Sequence, residues 1–132
     1  MAEMIELKEI QEKVILVGVS TSDNDDTQKS LDELEELAAT AGAVTVGRVV
    51  QNLDQIHPTT YVGKGKLEEI KDLLWETGAT GIICDDELSP IQLGNMEDAL
   101  NTKVMDRTLI ILDILQDELP QMKERFRLNL PS

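Results

Sequence analysis

At 132 residues the chain has the length of one domain, and 41% hydrophobic residues against 2% aromatic ones mean that leucine, isoleucine, valine and alanine must build its core. A formal charge of −14, from 12 Lys and Arg against 26 Asp and Glu, excludes a self-sufficient nucleic-acid binder, so that any RNA contact must be local or shared with other domains, and acidity of this kind otherwise serves solubility. One cysteine excludes an internal disulfide and a cysteine-rich zinc site, and no apolar run approaches the ~20 residues of a membrane span.

The opening segment, Met1 to Glu12, is charged, with Met4, Ile5 and Ile10 as its apolar positions. It lacks the apolar stretch of a signal peptide, so cytoplasmic residence is the expectation, and helix and edge strand both remain open for it. Val14 to Val19 is a continuous apolar run, as in a strand covered on both faces. A polar loop, Ser20 to Asp26, precedes a helix whose buried face is Leu31, Leu34, Leu37, Ala38 and Ala41 and which Gly42 ends. Ala43 to Val50 reads as the second strand, and Gln51 to Thr60, containing His57-Pro58, as a long polar connection. Tyr61-Val62-Gly63-Lys64-Gly65-Lys66 leads into a helix faced by Leu67, Ile70, Leu73 and Leu74 and stopped by Gly78. Gly81 to Cys84 is a third short buried strand. After Asp85-Asp86-Glu87-Leu88, the run Ser89-Pro90-Ile91-Gln92 is a complete helix start, with a capping serine, proline at the first position and the glutamine of a capping box. Leu93, Met96 and Leu100 face inward. Lys103 to Met105 is the fourth strand, and a last helix starts near Arg107 with Leu109, Leu112 and Leu115 on one side. Alternation of strands and helices predicts an α/β fold, an open four-stranded parallel sheet in the order 2-1-3-4 with helices on both faces and a C-terminal helix.

Several blocks together resemble the N-terminal domain of the HflX family of ribosome-associated GTPases. They are Ile15-Leu16-Val17-Gly18-Val19, Ser30-Leu31-Asp32-Glu33-Leu34, Thr40-Ala41-Gly42-Ala43, Val46-Gly47-Arg48-Val49, Thr60 to Lys66, Asp85 to Pro90, and Val104-Met105-Asp106-Arg107-Thr108. The resemblance implies an α/β domain over residues 1–115, followed in the family by a long helical hairpin and a Ras-like GTPase domain. It also implies contact with the large ribosomal subunit, and nucleotide binding has been associated with this domain in the family. The chain departs from the pattern in three places. It has no Gly-x-x-x-x-Gly-Lys-Ser/Thr, and in Gly63-Lys64-Gly65-Lys66-Leu67 a leucine stands where a hydroxyl would meet Mg²⁺. GTP and Mg²⁺ are therefore expected in a separate GTPase domain, with no cofactor and no catalytic residue in this chain. Leu93-Gly94 replaces an arginine usual near Asn95, and Gln116-Asp117-Glu118-Leu119-Pro120 brings a helix breaker into a short divergent tail, residues 116–132, expected to be helical in part. A fragment and a short paralogue both fit; the early Met1 and the divergent tail favour the paralogue.

Two charged clusters are the candidate sites. Gly63, Lys64, Gly65 and Lys66 offer backbone N–H groups and two ammonium groups at a helix start, suited to an oxyanion, a nucleotide phosphate or an RNA phosphate; the alternative is a tight turn with glycines at positive φ and solvated lysines. Tyr61, beside them, either stacks on a base or packs in the core. Asp85, Asp86 and Glu87 follow the third strand, at the edge where open parallel sheets bind ligands. They either hold Mg²⁺ beside a phosphate or favour the next helix through its dipole. Arg107 either touches RNA or pairs locally beside Asp106, which can cap the last helix. His57 is expected on a surface loop and Cys84 as a small buried thiol. The predicted function is a non-catalytic binding module contacting the large ribosomal subunit or regulating translation. A nucleotide-binding domain with weak or no turnover and a dimerisation unit, formed through an exposed leucine face of the last helix, are the alternatives, and no membrane partner is expected.

Overall fold

The computed structural model describes residues 12–21 and 26–116; the charged opening segment before residue 12 and the tail after residue 116 lie outside the described residues. The strands are β1 (Glu12–Ser20), β2 (Ala43–Asn52), β3 (Gly81–Cys84) and β4 (Lys103–Asp106), and the helices α1 (Thr27–Thr40), α2 (Lys64–Thr77) and α3 (Pro90–Leu100). A last helix, α4, occupies residues 107–116. All pairings are parallel and the order is β2-β1-β3-β4, as the alternation of elements predicts.

Burial on both faces explains the apolar run of β1. Val14 and Leu16 point to one side, into a core with Leu31, Leu34 and Ala38 of α1, Ile83, Met105 and Ile110 of α4. Ile15, Val17 and Val19 point to the other, into a core with Leu67 and Ile70 of α2 and Met96 and Leu100 of α3. Period-2 alternation along one strand thus divides the helices into two layers. Each β1 residue from Val14 to Val17 is at most 1% exposed.

The local punctuation follows the sequence. The capping box of α3 closes in both directions, with Gln92 N–H donating to Ser89 Oγ at 3.2 Å and Ser89 N–H donating to Gln92 Oε1 at 2.9 Å. Gly78 ends α2 in the left-handed region at φ 68°, where any side chain would be strained. Leu109, Leu112 and Leu115 of α4 are 39%, 48% and 47% exposed, so the leucine face foreseen for the last helix does lie open. Among the described residues no helix is long and apolar enough to cross a membrane.

Parallel strands bring their carboxyl ends to one edge of the sheet. The loop after β2, the loop after β3 and the start of α4 therefore converge there, and both charged clusters lie on them.

Candidate functional site

The glycine–lysine corner is held from behind. Between Asn52 and Lys64 the chain folds back on itself, with His57 N–H donating to Tyr61 O at 3.1 Å and Tyr61 N–H donating to His57 O at 2.9 Å. Gln92 of α3 donates through Nε2 to His57 O at 2.9 Å, and Asn95 Nδ2 donates to Thr59 O at 3.0 Å. Tyr61 is the anchor. Its backbone is left-handed at φ 68°, unusual for a residue with a side chain, and its ring is fully buried. Its hydroxyl donates to Asp86 Oδ2 at 2.6 Å. Burial, and then this bond to a carboxylate, push the phenol well above its ordinary range. The base-stacking role considered for Tyr61 is thereby corrected: no face of the ring is open, and core packing is what the residue does.

Beyond that anchor Gly63 N–H donates to Gln51 Oε1 at 2.8 Å, and a Cβ on Gly63 would stand 3.2 Å from Gln51 Nε2. Gly63 precedes α2 in extended backbone at φ −70° with no side-chain cap, so the first N–H groups of the helix, at Lys64, Gly65 and Lys66, have no intrahelical acceptor. Neither Gly63 nor Gly65 is at positive φ. The turn reading, which required that, does not describe the corner; the left-handed residue is Tyr61. A Cβ on Gly65 would meet nothing within 4 Å. The two lysines differ. Lys66 Nζ lies 2.7 Å from Glu69 Oε2, whereas Lys64 is exposed and has no ion-pair partner among the described residues. Beside it a groove of about 450 Å³ opens between α2 and α3, lined by His57, Thr59, Thr60, Lys64, Leu67 and Lys71 among others.

The second cluster is closed. Arg107 Nη2 lies 2.7 Å from Asp85 Oδ1 and donates to Ser30 O at 2.9 Å and Ser30 Oγ at 3.0 Å, while Nε donates to Asp85 O at 3.3 Å. The guanidinium thus ties the β3–α3 loop to α1, and the RNA contact considered for Arg107 gives way to local pairing. Asp86 is engaged by Tyr61, and Glu87 is exposed. Asp85 and Asp86 bind side chains from different elements, and among the described residues no three His, Cys, Asp or Glu side chains converge on a metal position. The Mg²⁺ arrangement considered for Asp85, Asp86 and Glu87 is therefore not formed. Asp106 does more than the sequence suggested: Oδ1 accepts from Leu109 N–H at 2.9 Å, capping α4, and Oδ2 accepts from Leu88 N–H at 2.8 Å. His57 is exposed, as expected of a loop residue. Cys84 is fully buried, and burial, then Asp106, Asp86 and Asp85, raise its thiol well above the ordinary range, which makes it a packing group rather than a nucleophile.

Comparison with known proteins places this geometry. The family described as "GTP-binding GTPase N-terminal" matches residues 28–115. The GTPase HflX of Lacrimispora saccharolytica is 62% identical over 136 residues, covering 95% of this chain and 32% of that protein. The chain belongs to the HflX family. It corresponds to the N-terminal domain of that family and spans about a third of the length of the curated relatives it matches. The GTPase HflX of Caldanaerobacter subterraneus is 43% identical over 133 residues, covering 92% of this chain and 31% of that protein. A crystal structure of a GTP-binding protein from Sulfolobus solfataricus in complex with GDP shares the fold of the HflX-type domain, with a TM-score of 0.58 at 20% identity over 89% of this chain and 40% of that one.

Sequence reading missed three participants. Gln51, at the end of β2, holds Gly63, and Gln92 reaches His57 beyond its capping box; no local pattern signals either contact, because the partners are 12 and 35 residues away. Trp75, an isolated aromatic to which the sequence assigns no place, is 89% exposed. The helical period held the signal, since Trp75 falls outside the arc of Leu67, Ile70, Leu73 and Leu74.

Proposed function

We propose that this HflX-type domain is a non-catalytic binding module of translation that contacts the large ribosomal subunit in the cytoplasm, with the Gly63–Lys66 corner against an RNA phosphate. The observation that supports this reading is the contrast at the corner: the loop behind it is anchored, while Lys64 and the first turn of α2 stay open to an anion. Gly65 adds to it, because among the described residues a Cβ there would meet nothing within 4 Å, and a bare backbone suits the approach of a ligand. Relatives carry the name GTPase, and we assign GTP and Mg²⁺ chemistry to the part of such proteins that lies outside these 132 residues.

Co-sedimentation with purified large subunits tests the reading. Binding is expected at low ionic strength, weakening as salt rises through counterion release, and Lys64→Ala is expected to weaken it further. A chain that stays wholly in the supernatant at low salt removes the proposal. A second reading, nucleotide binding without turnover, draws on the groove beside Lys64, where Leu67 and Ala99 offer an apolar floor. It requires GTP or ATP at millimolar concentration to raise the melting temperature by mass action; an unchanged transition dismisses it.

A further inference from the structure

The two edges of the sheet are not alike. β4 closes one side with 4 residues, and it begins at Lys103, the kind of charge that keeps a strand edge from pairing. β2 closes the other side. Among the described residues its only strand partner is β1, and after a bulge at Val46 residues 47–52 run in unbroken register with residues 15–20. That stretch holds no lysine and no proline. Its one charge, Arg48, is drawn aside onto Asp32 and Glu35 of α1. The main-chain groups that β2 turns away from β1 are therefore offered to a further strand. A groove of about 530 Å³ runs beside β2 toward α2, and a smaller one of about 300 Å³ lies toward α1. Arg48, Val49 and Val50 all line the first. Consecutive strand residues alternate between faces, so a groove that touches all three exposes the main chain of the edge.

Both grooves are acidic. Toward α2 the charged lining residues are Glu69, Asp72 and Glu76 against Arg48 and Lys66. Toward α1 they are Asp32, Glu35 and Glu36 against the same Arg48. Lys29 and Lys71 line neither groove. Both cations are already engaged, Arg48 with Asp32 and Glu35 and Lys66 with Glu69. Glu36, Asp72 and Glu76 are exposed and have no ion-pair partner among the described residues. Asp72 and Glu76 stand one turn apart, about 6 Å along α2, and alternate side chains of a strand repeat at about 6.8 Å. A strand laid on residues 47–52 with a cation at every second position thus brings successive cations to these two carboxylates. The same rims disfavour other occupants. A second copy would set acidic rims against acidic rims, and a phosphate backbone would meet the same repulsion.

We propose that the free edge of β2, residues 47–52, takes an extended lysine- or arginine-rich segment of another protein as a fifth strand. Main-chain hydrogen bonds to β2 supply the pairing, and Asp72 and Glu76 supply the preference for cations. The proposal goes beyond the ribosome reading and makes no use of the Lys64 corner. Anisotropy of a labelled peptide alternating lysine and threonine, titrated into the full chain at low ionic strength, should saturate, and the binding should weaken as salt rises. Asp72→Asn combined with Glu76→Gln should weaken it about five-fold; both positions are exposed, so this variant keeps the fold. Lys64→Ala should bind the peptide like the wild type. Amide hydrogen exchange should slow at the outward N–H groups of residues 47–52 on adding peptide and stay unchanged in β4. The same peptide N-methylated along its length keeps its charge but lacks the N–H donors, and it should lose most of the binding. Equal binding by the methylated peptide would reduce the effect to charge attraction and overturn the proposal, as would no binding at low salt or protection confined to β4. Outward amides of β2 that are already protected without peptide would show the edge covered by this chain, or by a second copy if light scattering gives a dimer, and would overturn it too. A chain that binds the peptide but does not pellet with large subunits loses the ribosome reading and keeps this one.

Discussion

The corner at Lys64 and the junction at Asp85 and Arg107 stand at the same edge of the sheet, carry charges of similar density and look equally suited to a ligand in one dimension. In three dimensions they are opposites. At the junction the charges meet one another: Arg107 clamps Asp85 and α1, Asp86 receives the Tyr61 hydroxyl, and Asp106 receives two backbone N–H groups. At the corner one ammonium is paired with Glu69 and the other is open. Asp85 is only 8% exposed at its side chain, and a carboxylate so placed requires a partner, whereas Lys64 is solvated and does not. Charge near a strand end therefore says little about ligands until its burial is known. The junction is also what makes the corner rigid, because the Tyr61–Asp86 bond joins them.

Variants at the two regions should separate accordingly. The largest effect is expected from Asp106→Ala, which leaves the N–H groups of Leu88 and Leu109 without their acceptor. A loss of about 3 kcal/mol in urea unfolding follows from two charge-assisted bonds. Arg107→Ala, which abandons a nearly buried Asp85, should cost about 2 kcal/mol in the same measurement. A destabilisation below about 0.5 kcal/mol in either would mean that the junction is not the staple described.

Tyr61→Phe should cost about 1 kcal/mol by leaving Asp86 without its donor. It should also change the response to alkali. In the unfolded chain a thiol and a phenol ionise near about pH 8.5 and 10, while in the folded chain Cys84 and Tyr61 hold their protons higher. The unfolded state then binds fewer protons as pH rises, so the stability present below these values declines above about pH 8.5. The decline above about pH 10 should be shallower in Tyr61→Phe. Spectrophotometric titration offers a check, since this is the only tyrosine: a phenol ionising near its ordinary value in the folded protein contradicts the buried bond.

The smallest effects belong to the corner. Lys64→Ala should leave stability within about 0.5 kcal/mol while weakening ribosome binding. Gly65→Ala, placed in open space, should stabilise α2 by about 0.5 kcal/mol through helix propensity and still weaken binding if the ligand approaches the backbone there. Gain of stability with loss of binding in one variant would sharpen the contrast; unchanged binding in both variants would erase it.

Patterns of short range were legible before any coordinates. The two-sided burial of Val14 to Val19 announced a central parallel strand, and Ser89-Pro90-Ile91-Gln92 announced a capped helix. Gly42 and Gly78 announced the ends of α1 and α2, and the alternation of elements led to the sheet order. Each depends on neighbours within a turn or on the period of one element, where residue type alone sets the energetics. The site was legible only as a composition of glycine, lysine and carboxylate. Whether a charge is open or paired depends on atoms brought together from distant positions, as Arg107 and Ser30 are across 77 residues and Tyr61 and Asp86 across 25. Desolvation and pairing act through space, so the tertiary structure alone decided that Tyr61 is an anchor, that Arg107 is a clamp, and that Lys64 faces the solvent.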